Sequence, residues 1–182
     1  MTALYDDAVR VLEAWTPADD DGRRDRDRTL ALLADAGPAA LGRAHTPGHV
    51  TASALVLDHD HTRVLLCLHG RFRKWVQLGG HCEPVDATLA AAALREATEE
   101  SGIAGLRLHP EPIDLDIHPV TCSGRPSFHH DIRYVLVAPP GAVATVSDES
   151  ADLGWFPPDE LPSPLAHATD RLIAPALAAL AG

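Results

Sequence analysis

The sequence predicts an α/β fold, a mixed sheet with helices layered on both of its faces. Three observations carry that expectation. Several short segments between residues 49 and 137 are rich in β-branched residues or alternate apolar with polar. An acidic and aliphatic helix is embedded among them, and further helical stretches flank the series at both ends. A length of 182 residues suits one core domain, here 48–182, with an added helical segment over 1–47.

In the N-terminal segment, Ala3, Val9, Val11, Leu12 and Trp15 suggest an apolar stripe, stopped by Pro17 and the acidic run Asp19 to Asp21. A second helix is expected over Arg23 to Ala36, with Leu30, Leu32 and Leu33 inward and Gly37-Pro38 ending it. The alternating charges of DDDGRRDRDR read as a solvated helix entrance. The segment could cover the sheet, shape a pocket or form a dimer contact. The sequence does not choose among these.

The core begins near His49. HVTASALVLD and TRVLLCLHG, separated by a polar turn at Asp58 to His61, read as a hairpin. RFRKWVQLGG then runs as a short strand into the stretch GGHCEPVDATLAAAALREATEESGI, residues 79–103. That stretch passes from a Gly pair through a polar loop into a helix. Glu96, Glu99 and Glu100 stand three and four residues apart and therefore share one helix face. Leu89, Ala92, Ala93 and Ala97 can pack inward, and Gly102 supplies a C-terminal stop. Like charges at this spacing repel. Arg95 relieves part of the strain, and a hard divalent cation such as Mg²⁺ or Mn²⁺ would relieve more.

Beyond the helix, LRLHPEPIDLDIHPV and FHHDIRYVLVAPP read as paired strands joined by TCSGRPS. Pairing would bring His118 near His129 or His130, with Asp131, on one sheet face. Three readings of that cluster stand side by side: substrate recognition through imidazole hydrogen bonds, a second metal site without a diagnostic spacing, and plain strand surface. From Leu165 onward the chain reads as a last helix, interrupted or bent near Pro175.

Composition narrows the function classes. A net charge of −11 argues against nonspecific binding of DNA through a basic surface. It leaves room for an anionic small substrate, because a bound metal reverses the local sign. Cys67, Cys82 and Cys122 are too few and scattered for a disulfide framework or a paired-Cys zinc site, and read as reduced thiols of a cytoplasmic protein. No apolar run approaches transmembrane length, so no membrane partner is expected.

The 79–103 stretch resembles the Nudix box. That pattern runs Gly, five residues, Glu, seven residues, then Arg-Glu, an aliphatic, any residue, Glu-Glu, any residue, Gly and an aliphatic. Gly80 and Arg95-Glu96-Ala97-Thr98-Glu99-Glu100-Ser101-Gly102-Ile103 match it. Asp86 stands where the pattern has its first Glu, and the spacer is one residue longer. The extra residue falls at the helix entrance, so the departure bears on the role of Asp86 and leaves the carboxylate spacing intact.

The resemblance implies a Nudix-type α/β/α sandwich and a metal-dependent hydrolase acting on a nucleotide-type diphosphate. It implies Mg²⁺ or Mn²⁺ held by Glu96, Glu99, Glu100 and the Gly80 carbonyl, with Arg95 orienting the carboxylates. The water-activating base would be one of these Glu residues, or Glu149 on the loop before the strand that carries Trp155. Arg73, Lys74 and Trp75, just ahead of the Gly pair, become candidates for contacting substrate. His81, beside the pair, is itself a candidate to lie near the metal and contact substrate, with a structural role as the other reading. The family also implies an Asp-Glu-Leu helix entrance at residues 159–161. A nucleotide-binding regulator of the same fold without turnover is the alternative, opposed by the intact REATEE. An isomerase of isoprenoid diphosphates is the third reading, opposed by the contexts of Cys82 and Cys122. A homodimer is compatible with the added helices.

Overall fold

A computed structural model describes residues 2–122, 124–146 and 150–181. The chain runs α1 (Thr2–Ala14), α2 (Asp20–Ala36), β1 (His49–Leu57), β2 (Val64–His69), β3 (Trp75–Val76), β4 (Leu78–His81) and α3 (Leu89–Ser101). It continues through β5 (Arg107–Leu108), β6 (Asp114–Cys122), β7 (Arg125–Val137), β8 (Ser150–Phe156) and α4 (Ile173–Leu180).

These strands form one mixed sheet. β1 lies parallel to β7, with His49 opposite His129, and pairs antiparallel with β2 and β4. β6 and β7 form the expected hairpin, with His118 opposite His129. β2 also carries β3 and β8. Alternation along β1 divides the core into two layers. Val50, Ala52, Ala54 and Val56 face one cluster with α1, α2 and α3, whereas Leu55 and Leu57 face another with Leu172 and Ala176 at the chain's C-terminal end. The α/β/α sandwich is therefore present, with the N-terminal helices in the same layer as α3.

Several local expectations shift. The inward stripe of α1 is Leu4, Ala8 and Leu12, spaced one helical turn apart, while Ala3 is exposed. α2 starts at Asp20 because the Asp19 side chain accepts the Gly22 N–H and caps it. Leu33 is its buried leucine, and Leu30 and Leu32 pack at the margin. The last helix begins far later than Leu165. Residues 170–172 form a 3-10 turn, and Pro175 falls in the first turn of α4, where its missing N–H would lack an intrahelical partner anyway. Asp159-Glu160-Leu161 opens no helix; Glu160 N–H closes a turn onto the Pro157 carbonyl.

The N-terminal segment covers the sheet and does one thing more. Asp7 is buried, and its carboxylate accepts the backbone N–H of Leu89 at 2.9 Å. A charged group on α1 therefore satisfies an orphan donor in the first turn of α3, where the helix dipole also favours a negative charge.

Candidate functional site

α3 is fixed at both ends by its own sequence. Thr88 accepts the Ala91 N–H at 3.0 Å, and Gly102 closes the helix at φ 67° with its N–H on the Thr98 carbonyl. Leu89, Ala92, Ala93 and Ala97 are fully buried against the sheet. The small volume of the three alanines lets the helix lie close to β1 and β4, and Glu96, Glu99 and Glu100 are carried to the Gly pair.

The approach there is tight. A Cβ built on Gly80 would stand 2.8 Å from the Glu96 carboxylate, so only a glycine leaves that space open. Gly79 donates its N–H to Glu100 at 2.8 Å. Arg95 binds both neighbouring carboxylates, Glu96 at 3.0 Å and Glu99 at 3.1 Å, and reaches the His81 carbonyl at 3.0 Å. Glu99 is the exposed member. Carboxylate oxygens beside backbone carbonyls are the donor type that a hard divalent cation takes.

Asp86 also has a place. It is buried and takes two parallel bonds from Arg95, at 3.0 and 2.9 Å, together with the Glu83 N–H at 2.7 Å. Burial alone would raise this carboxyl, but the Arg95 fork and the Glu83 N–H outweigh it and hold it below its ordinary range. The Arg95 guanidinium is raised in turn, first by Asp86. Asp86 thus fixes the arginine that spans the carboxylates.

The histidines separate. His118 and His129 face each other across the hairpin, with ring centres 5.5 Å apart, and His118 bonds Asp116 at 2.8 Å. His130, expected beside them, points to the opposite face and meets Thr29 of α2 at 2.8 Å. Adjacent strand residues cannot share a face. Asp131 stays on the face of His129. It accepts bonds from Thr51 at 3.1 Å, Ser53 at 2.8 Å and the buried Arg133 at 2.9 Å.

The His81 ring turns away from the box carboxylates. Its Nε2 lies 3.1 Å from that of His49, and its ring stands edge-on to His129 at 5.0 Å. Burial lowers all three imidazoles, His81 to about 4 and His129 to about 3, with neighbouring histidines adding to the effect.

Trp75 packs edge-on against Phe156 at 4.9 Å in the α4-side layer, and Arg73 and Lys74 are exposed at the preceding turn. Glu149 lies outside the described residues. Sequence reading missed Asp7, His49 and Cys122. Asp7 had a faint signal as an acid in an apolar stripe, whereas His49 and Cys122 are brought in by strand pairing alone.

Fold and site together define an α/β protein that sets an acidic helix face against a glycine-lined strand end. Residues 47–177 match the family model described as NUDIX domain, and the chain belongs to that family. It is a Nudix-family hydrolase by that membership. No curated protein sequence matches it closely enough to serve as a relative. Among solved structures, it is similar to a Caenorhabditis elegans Ap4A hydrolase in a binary complex, at 19% identity and TM-score 0.55, covering 73% of this chain and 98% of that one. A NUDIX-family hydrolase from Clostridium perfringens matches at 23% identity and TM-score 0.55, covering 73% and 96%. The NUDIX domain of Shewanella oneidensis NrtR, complexed with ADP ribose, matches at 18% and 0.54, covering 82% and 97%. At these identities the likeness is one of fold.

Proposed function

We propose that the protein is a divalent-metal-dependent pyrophosphohydrolase that cleaves the diphosphate linkage of a nucleoside diphosphate joined to another group. The observation that carries this reading is the close approach of Gly80 to the Glu96 carboxylate, beside Glu99 and Glu100. Glu96, Glu99, Glu100 and the Gly80 carbonyl would hold Mg²⁺ or Mn²⁺, which supplies charge neutralisation at the phosphates and a more acidic bound water.

The chain's own residues prepare that chemistry. Arg95, held by Asp86, keeps Glu96 and Glu99 aligned and lowers their mutual repulsion. Glu100 is oriented by the Gly79 N–H. One of the box carboxylates or Glu149 takes the proton from water as it attacks phosphorus. The nucleotide class is supported by solved neighbours that include an Ap4A hydrolase and a domain complexed with ADP ribose. All three cysteines are free, which supports a cytoplasmic setting. No helix among the described residues is long and apolar enough to cross a membrane.

The test is a hydrolysis panel of nucleoside triphosphates, nucleotide sugars and dinucleotides with Mg²⁺ or Mn²⁺, with products identified. Wild type and Glu100→Gln are run in parallel. Turnover in the wild type that depends on metal and is lost in the variant is the expected outcome. Binding of a panel nucleotide with no turnover under any metal would overturn the reading in favour of a ligand-binding regulator.

A further inference from the structure

On the face of β4 opposite the box, four potential ligand atoms converge from four strands. His49 opens β1, His81 closes β4, Cys122 ends β6 and His129 lies in β7. One donor atom from each falls within 4.8 Å of every other. Cys122 Sγ is 3.7 Å from His49 Nε2, 3.7 Å from His81 Nε2 and 3.4 Å from His129 Nε2, and the two Nε2 atoms of His49 and His81 are 3.1 Å apart.

We propose that His49, His81, His129 and Cys122 bind one tetrahedral Zn²⁺, in a site separate from the carboxylate box. With Zn–N of about 2.0–2.1 Å and Zn–S of about 2.3 Å, a tetrahedron requires N···N near 3.3 Å and N···S near 3.6 Å, all approximately. The three N···S separations and the His49–His81 separation match these requirements, and the two N···N separations to His129 lie within 4.8 Å. Three imidazoles with one thiolate suit a borderline-soft ion and reject Mg²⁺, whereas the box carboxylates make the reverse choice.

The surroundings prepare the ligands. His49 Nδ1 faces the His45 carbonyl at 3.2 Å; donation to that oxygen leaves the Nε2 lone pair directed at the site. Ser127 Oγ stands 3.4 Å from the same nitrogen and can accept the same N–H. A hollow of about 270 Å³, bordered by Arg43, His45, Cys122 and Ser127, gives an ion a way in. On binding, the Cys122 thiol loses its proton to solvent and the imidazoles bind as neutral ligands.

Four protein ligands close the coordination sphere, so the role is structural. The ion ties the parallel β1–β7 pair to the β6–β7 hairpin and to β4. His81 is the connection to the box: its ring would ligate zinc while its carbonyl holds Arg95.

The experiment uses the full chain freed of metal by chelator and titrated with Co²⁺ in excess Mg²⁺. One equivalent should produce an intense thiolate-to-cobalt charge-transfer band with tetrahedral d–d intensity, and Zn²⁺ should displace it. The zinc-loaded form should melt at least about 5 °C above the metal-free form. Cys122→Ser should abolish the band and weaken zinc binding at least about 100-fold, while Glu100→Gln should retain both. His129→Asn is the second variant if Cys122→Ser does not fold, with lost tetrahedral d–d intensity as its readout. Absence of the band in the wild type, its persistence in Cys122→Ser, or its loss in Glu100→Gln overturns the proposal.

Discussion

The two faces of β4 make opposite demands within three residues. Toward α3, Gly80 presents bare backbone to carboxylates; toward the other face, His81 presents an imidazole to two further imidazoles and a thiol. One side gathers hard oxygen donors around an arginine, and the other gathers nitrogen and sulfur donors. The alternation of a strand lets one short segment serve both without mixing them. The acidic side is written in helix positions three and four residues apart. The other side exists only where four strands meet.

That contrast can be broken most sharply on the acidic side. Glu100→Gln is expected to lower kcat by about 1000-fold, the scale of a lost catalytic carboxylate, with the fold intact by circular dichroism. A loss under about 10-fold would remove Glu100 from the reaction. Gly80→Ala comes next. Its Cβ meets the movable end of Glu96, so stability should change by less than about 1 kcal/mol while activity falls about 100-fold. Equal activity in the variant would show that the close approach is not needed.

The other face offers a smaller effect, read by pH. Burial acts to raise the Asp116 carboxyl, but the His118 hydrogen bond and the charges of Arg133 and Arg171 prevail and hold it at about 2. Its folded value is thus below its unfolded value. The stability it contributes is fully present above about pH 4 and is lost as pH falls through 2, amounting to about 2 kcal/mol. Denaturant melts of wild type and Asp116→Asn between pH 5 and pH 2, at about half-unit steps, should show a shallower acid limb in the variant. Parallel limbs would mean that other groups carry the acid response.

The smallest effect belongs to the N-terminal segment. Asp7→Ala leaves the Leu89 N–H without its carboxylate partner and should cost about 1–2 kcal/mol in denaturant unfolding. No change would mean that α1 covers the sheet without supporting α3.

The legible part of this molecule was local. Glu96, Glu99 and Glu100 share a face because helical periodicity puts them there, Gly102 stops the helix at a left-handed position, and the β1–β2 and β6–β7 hairpins follow from alternation and short turns. The α/β/α layering followed from the order of such pieces. Asp86 was visible but its function was not, because pairing with Arg95 depends on how the longer loop folds back. The grouping of His130 with His129 failed for a local reason, since neighbouring strand residues diverge.

What tertiary structure alone decided is the parallel β1–β7 register and everything built on it. His49 and His129 are far apart in the chain and stand opposite each other only in that register, with β4 bringing His81 and the end of β6 bringing Cys122. The same folding places Asp7 at the entrance of α3. Sequence determines what a residue can do with near neighbours, because backbone periodicity fixes their directions. Contacts between distant strands are set by how whole layers pack, and no spacing along the chain records them.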